Sequence, residues 1–261
     1  MSVRTAERPG TAGPTEDRIF GTSDAVVVLD GATQPEPGGR TGGWLAEALG
    51  REIQRRLESS RGDLAALLAA AISTVADRYA LRPGSDPSTT VSIVRWDDCY
   101  VDVLVLGDSP VVALTTAGGI RQVRDDRLQA VAAEQRRQLR ERPGVDRWRQ
   151  LHQAMLLQRN KPGGYWIAEA TPEAAWHARR ARWRRGDLVA VLAMTDGVSV
   201  GVDRYRMPPD WPSAFALTMD DPYHLIQAVH GAEESDPECR RWPRTKRHDD
   251  KAVAVVSFRE P

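Results

Sequence analysis

Three acidic residues stand where apolar, strand-like runs stop or start. Asp30 closes the run in VVVLDG, Asp196 closes a second in AMTDG, and Asp249 opens a third in HDDKAVAVV. A fourth, Asp108, follows LVLG in a tight turn. Packed sheets bring strand ends into one cleft, so acids far apart in the chain can converge there. Carboxylates that share a small volume raise one another's pKa unless something neutralises them. The usual neutraliser is a divalent cation. Oxygen ligands without a His or Cys pattern select a hard ion such as Mg²⁺ or Mn²⁺. A single Asp-Gly is an ordinary turn dipeptide. Two apolar runs each ending in Asp-Gly, with a third opened by an aspartate, favour a site over a set of turns.

Other chemistries find less support. Ser109 and Ser199 lie in turns without a positioned His, and Cys99 lacks the CxxxxxR loop of a thiol phosphatase. GGRTGG at 38–43 lacks the Lys-[Ser/Thr] of a phosphate-binding P-loop and reads as a loop entering a helix. His224 and His230 are six apart, off one helical face, and so poor joint metal ligands. His248 abuts Asp249 and either tunes the site or lies in a surface turn. The basic run Arg179, Arg180, Arg182, Arg184 and Arg185, with Trp176 and Trp183 nearby, has the make-up of a single-stranded nucleic-acid surface. It reads better as a strand and turn with one solvated face and Trp183 buried.

Composition sets the wider bounds. The 261 residues carry 36 basic and 36 acidic side chains, and the zero balance argues against an electrostatic binder of nucleic acid or anionic membrane. Hydrophobic content of 41% is that of a globular chain long enough to bury a sizeable core. Only Lys161, Lys246 and Lys251 are lysines, a bias that fits a GC-rich genome better than a local need for arginine. Two cysteines outside any CxxC, no apolar stretch near membrane-spanning length and no apolar core after Met1 lead to an expected cytoplasmic location.

The elements that must position the acids follow from periodicity. Residues 1–15 read as a flexible lead-in, and Ala25 to Asp30 as a buried strand. Trp44 to Leu57 and Leu64 to Tyr79 repeat apolar residues every three or four positions, which predicts two helices. TTVSIVRW (89–96), YVDVLVLG (100–107) and PVVAL (110–114) read as an antiparallel meander. Residues 125–158 read as helical with a break at Pro143-Gly144, and 164–170 and Trp176–Trp183 as strands. A buried strand over 188–197, a helix from Asp221-Pro222 to Glu234 and a strand over 251–258 complete the chain. Helices and strands cluster rather than alternate, so the expected class is α+β with antiparallel sheets in one domain.

The ordered set Glu16-Asp17, LDG (29–31), STT (88–90), GDS (107–109), TDG (195–197) and Asp249-Asp250 before a final strand resembles the metal-dependent type 2C protein phosphatases, in their bacterial form. The resemblance spans residues 16–258 and makes 16–261 the phosphatase-like domain. It implies an αββα sandwich, two antiparallel sheets face to face between helix pairs, with a two-metal centre at one edge. It implies a cytoplasmic phosphoprotein phosphatase in signal transduction, hydrolysing phosphoserine and phosphothreonine with Mn²⁺ or Mg²⁺. Asp30 would bridge two ions, Gly31 would offer its carbonyl, and Asp196 and Asp249 would complete the set. Asp17, with Glu16, would hold metal-bound waters, and Asp108 would match the aspartate of a third, looser site. Paired cations would acidify a water for in-line attack on phosphorus.

Three departures stand out. Asp30-Gly31-Ala32-Thr33 lacks the His that can protonate the leaving oxygen. Thr11 to Thr15 lacks the phosphate-gripping arginine, leaving Arg8 or Arg18 as substitutes. Val200 stands where third-metal members carry an acid four residues after the TDG aspartate. They keep open a second reading, a catalytically weak or inactive binding module in bacterial signalling.

Overall fold

The computed structural model describes residues 1–32, 39–85, 87–140 and 147–259. Its strands are β1 Ser2–Arg8, β2 Arg18–Gly21, β3 Ala25–Leu29, β4 Val91–Trp96, β5 Tyr100–Leu106, β6 Val111–Thr115, β7 Ile120–Val123, β8 Arg179–Arg184, β9 Leu188–Met194 and β10 Lys251–Ser257. The helices are α1 Gly42–Ser59, α2 Leu64–Tyr79, α3 Arg127–Arg140, α4 Arg147–Gln158, α5 Asp196–Val200, α6 Trp211–Thr218 and α7 Tyr223–Glu234. Two five-stranded antiparallel sheets result, in the orders β1-β10-β9-β6-β7 and β2-β3-β4-β5-β8.

Strand alternation explains the layers. On β3, Ala25, Val27 and Leu29 face α1 and α2, where Leu49, Ile53, Leu68 and Ile72 meet them. Val26 and Val28 face the opposite sheet, against Val191, Ala193 and Ala254. Leu192, Met194, Val253 and Val255 then face α6 and α7, through Phe215, Ile226 and Val229. Strands buried on both faces read as continuous apolar runs rather than alternating ones. That is why AVVVL and LVAVLAM look alike in the chain. The expected αββα sandwich is the architecture observed. The helices start where capping chemistry permits: Thr41 accepts from Trp44 N, and Asp63 accepts from Ala65 N and Ala66 N.

Several expectations change. Within the lead-in, residues 2–8 form β1, which pairs with β10 from Ser2↔Ser257 to Arg8↔Lys251. Its exposed, polar face hid it, because an edge strand buries only one side. The expected meander is split: β4 and β5 pair, but β6 crosses to the other sheet between β9 and β7. The crossing uses Gly107 at φ +85° and Pro110, and it carries Asp108 to the seam between the sheets. Residues 164–170 form only isolated bridges, Arg159↔Tyr165 and Thr89↔Ala168. Asp196 begins α5 instead of ending β9. β2, β7 and α6 lacked a periodic signal and went unread. The helical break at Pro143-Gly144 and Thr33 lie outside the described residues. Among the described residues, no helix is long and apolar enough to cross a membrane.

Candidate metal centre

The acids converge through a chain of backbone and hydroxyl contacts. Asp30 leaves β3 with its N–H donating to Thr90 Oγ1 at 3.1 Å, and its carbonyl accepts from Thr89 Oγ1 and Thr90 N, both at 2.9 Å. Thr90 Oγ1 in turn lies 2.6 Å from Ser109 Oγ, so the STT segment ties the LDG turn to the GDS turn. Gly31 lies against the start of α1, where a Cβ would stand 2.4 Å from Gly42 C and Gly43 N. Gly197 meets a similar limit, since its Cβ would fall 2.0 Å from the Asp250 carbonyl. Neither position admits a side chain.

Asp250 acts as a clasp. Its two carboxylate oxygens accept from Gly10 N and Glu16 N, each at 2.7 Å, which pins the first motif to the start of β10. Glu16 Oε1 accepts a long bond from Gly43 N at 3.4 Å. Thr195 Oγ1 donates to Asp17 Oδ2 at 2.9 Å and accepts from Ala252 N at 3.1 Å. Asp17 is thereby held almost fully buried beside Asp196 and Asp249.

The electrostatics show what the cluster lacks. Burial raises the Asp30 carboxyl well above its ordinary value, and the charges of Asp17, Asp196, Asp249 and Asp108 raise it further. Burial is likewise the main cause at Asp17, partly offset by Thr195 and reinforced by Asp250 and Asp196. Burial and the charge of Asp196 push Asp108 up to about 8. Burial and Asp249 push Asp196 up to about 6, against the hydrogen bond it shares with Asp30. Such a set of oxygen donors, short of positive charge, fits hard divalent cations. The sequence-predicted Asp30, Asp196, Asp249, Asp108 and Asp17 are thus brought together, with Gly31 and Glu16 beside them.

A second set of donors is of a different kind. His230, Glu233 and His248 place one ligand atom each within 4.8 Å of one another. Lys251, fully buried, already donates to Glu233 Oε2 at 2.7 Å, and the two imidazoles stack face to face at 4.0 Å. The carboxylate has its cation, and the same oxygen lies 3.0 Å from His248 Nδ1. Lys251 also donates to the Asp249 carbonyl at 2.9 Å, so this network props the turn that carries Asp249.

A family model, Protein phosphatase 2C, matches residues 13–223. The chain belongs to that family. No curated relative matches. Phosphatase structures sharing the 2C fold span almost the whole chain. The PstP/Ppp serine/threonine phosphatase of Mycobacterium tuberculosis matches at 17% identity and TM-score 0.61, over 98% of this chain and 97% of that one. The PPM Ser-Thr phosphatase MsPP of Mycobacterium smegmatis, solved with cacodylate, matches at 17% and 0.60, over 98% of each chain. The PstP catalytic domain with two manganese ions matches at 15% and 0.58, over 98% of this chain and 97% of that one. At such identities the likeness is one of fold.

Two clefts open beside the acids of this phosphatase 2C chain. One, of about 760 Å³, is lined by Asp196, Asp249, Lys246, Arg204 and Arg136 among others. The other, of about 330 Å³, holds Asp108, Asp196, Asp203 and Arg124. Their outer wall is α3, and the 159–164 turn lines neither cleft. Arg159 there is buried against Glu169 at 2.9 Å. The arginine run forms edge strand β8, with Trp183 buried, Arg180 paired to Asp63 and Arg182 over the Tyr100 ring at 4.2 Å. Sequence reasoning missed Thr195, Glu233 and Lys251, whose signal is tertiary. It also missed Lys246, whose signal was available: a rare lysine three residues before Asp249.

Proposed function

We propose that this protein is a metal-dependent phosphoprotein phosphatase that hydrolyses phosphoserine and phosphothreonine, with residues 16–261 as its catalytic domain. The carrying observation is the convergence of Asp30, Asp196, Asp249, Asp108 and Asp17 at one sheet edge, with Asp30, Asp108, Asp196 and Asp17 all raised. Asp30, Asp196, Asp249 and the Gly31 carbonyl would hold two ions, Mn²⁺ or Mg²⁺, with Asp17 and Glu16 orienting waters. When bound, such ions supply positive charge to the phosphoryl oxygens and acidify a water for in-line attack. The chain's own part is to keep the carboxylates fixed. Thr90 and Thr89 hold the Asp30 turn, Thr195 holds Asp17, and Lys251 holds the Asp249 turn.

Two ions rather than three is the reading supported at Asp108. Val200 stands where third-metal members carry an acid, and Asp203 in that cleft is already paired with Arg124 at 2.7 Å, which among the described residues leaves Asp108 without a second free carboxylate beside Asp196. Ala32 stands where relatives can carry a His, so leaving-group protonation would fall to water.

The test is a Mn²⁺ titration of p-nitrophenyl phosphate and phosphoserine-peptide hydrolysis, with Asp30→Asn in parallel. Metal-dependent turnover lost in the variant is expected. Turnover retained in Asp30→Asn would overturn the ligand assignment. Silence in both chains, with metal bound, would instead support the non-catalytic binding module.

A further inference from the structure

We propose that Lys246 is the cation that grips the substrate phosphate, in place of the N-terminal arginine this chain lacks; the proposal rests on the phosphatase reading above. The N-terminal arginines are committed elsewhere. Arg4 donates to the Met219 and Asp220 carbonyls, and Arg8 reaches Tyr223 Oη at 3.5 Å. Arg18 donates to Glu47 at 2.9 Å and to the Thr15 and Asp17 carbonyls at 2.6 Å. On the cleft wall, Arg244 is buried and held by Asp236, and Arg204 donates to the Pro243 carbonyl at 2.6 Å.

Lys246 is placed differently. Its Nζ lies 2.9 Å from Asp249 Oδ1, and its side chain, 40% exposed, opens into the larger cleft beside Asp196. A phosphate lying on cations held by Asp30, Asp196 and Asp249 must come close to a group already touching Asp249. Once cations neutralise that carboxylate, its hold on the ammonium weakens, and the flexible stem lets the ammonium turn to a phosphoryl oxygen. Composition points the same way. Of 36 basic residues only three are lysines, and two of those, Lys246 and Lys251, flank His248-Asp249-Asp250.

The two roles predict opposite signs for two affinities. Calorimetric titration of the full chain with Mn²⁺, and of the Mn²⁺-loaded chain with inorganic phosphate, reads both directly. Lys246→Gln is expected to weaken phosphate binding about tenfold or more, as loss of a charge-assisted hydrogen bond does. Mn²⁺ binding should hold or tighten, because the ammonium no longer competes for Asp249. Lys246→Arg should restore most of the phosphate affinity, and KM for p-nitrophenyl phosphate should rise more than kcat falls in Lys246→Gln.

Phosphate affinity within about twofold of wild type in Lys246→Gln would overturn the assignment. So would a joint fall of Mn²⁺ and phosphate affinity, which marks a purely structural lysine, or a wild-type chain that binds no phosphate. Phosphate binding that depends on Lys246 without any hydrolysis would remove the reaction and keep the lysine. Hydrolysis unaffected by Lys246→Gln would do the reverse.

Discussion

Asp236 and Asp196 flank the same α6–α7 side of the sandwich, yet their carboxyls move in opposite directions. Burial alone would raise Asp236. The N–H groups of Trp242, Arg241 and Arg240 and the Arg244 guanidinium, all within 3.1 Å, outweigh it and hold the group well below the usual range. Burial also leads at Asp196, and the Asp249 charge adds to it, which together outweigh the hydrogen bond with Asp30 and the Lys246 charge, so it rises to about 6. Glu233 is likewise a buried acid with a cation in contact, Lys251 at 2.7 Å. A fold that supplies donors to some buried carboxylates and withholds them from others separates structure from function. The satisfied acids hold loops in place. The unsatisfied ones are arranged for a ligand of opposite charge.

Breaking the unsatisfied set should give the largest effect. Asp196→Asn is expected to lower metal-dependent turnover on the order of 10³-fold, the scale of several kcal/mol of lost cation chemistry. The same variant should melt above wild type when both are metal-free at about pH 8, since a repelling charge has gone. A lower melting temperature would show that Asp196 is satisfied after all.

The satisfied set should respond in the opposite sense. Lys251→Met leaves Glu233 without its ammonium and is expected to lose about 3–5 kcal/mol in urea unfolding. Adding Glu233→Gln to that variant should recover most of the loss, because the stranded charge disappears. An undiminished loss in the double variant would assign the cost to packing rather than to charge.

Metal should sharpen the contrast next. Mn²⁺ at about 100 times its dissociation constant should stabilise the folded chain by about 2.7 kcal/mol. The sign with pH follows from Asp196 at about 6 and Asp108 at about 8. Both stand above the unfolded aspartate value, so the folded, metal-free chain binds extra protons. Their contribution to stability is full below the ordinary aspartate range and is lost as pH rises through those two values. Mn²⁺ competes with the same protons, so its stabilising increment should grow from about pH 5.5 to about pH 8. Melting curves with and without Mn²⁺ at both pH values check this, and an increment that shrinks would contradict it.

The smallest effect belongs to Thr195→Val. It removes the 2.9 Å bond to Asp17 and the acceptor for Ala252 N, worth about 1 kcal/mol each in stability. Turnover should fall only a few-fold, read by the same p-nitrophenyl phosphate assay. A loss as large as that of Asp196→Asn would move Thr195 into the reacting centre.

Much of this was legible along the chain. AVVVLDG, LVAVLAMTDG and HDDKAVAVV mark buried strands by apolar run and mark their ends by acid, so the strand-end aspartates and the antiparallel α+β class could be read together, while the sandwich came from the phosphatase resemblance. The two helices over 42–59 and 64–79 were plain from three- and four-residue spacing. Short or one-sided strands were not. β1 exposes alternate polar residues and gains its place only by pairing with β10, some 250 positions away. β6 looked like the third strand of a meander because sequence neighbours usually pair, and only packing sends it to the other sheet.

The same division runs through the chemistry. Residue type and local order named the acids, because a carboxylate at a strand end is a local property of the chain. Which acids would be left short of donors was decided by folding, since Gly10, Glu16 and Thr195 reach Asp250 and Asp17 from distant segments while burial and neighbouring acids outweigh the few donors near Asp30 and Asp196. Pairing energies fall off over a few ångströms, and those separations exist only once both sheets are packed.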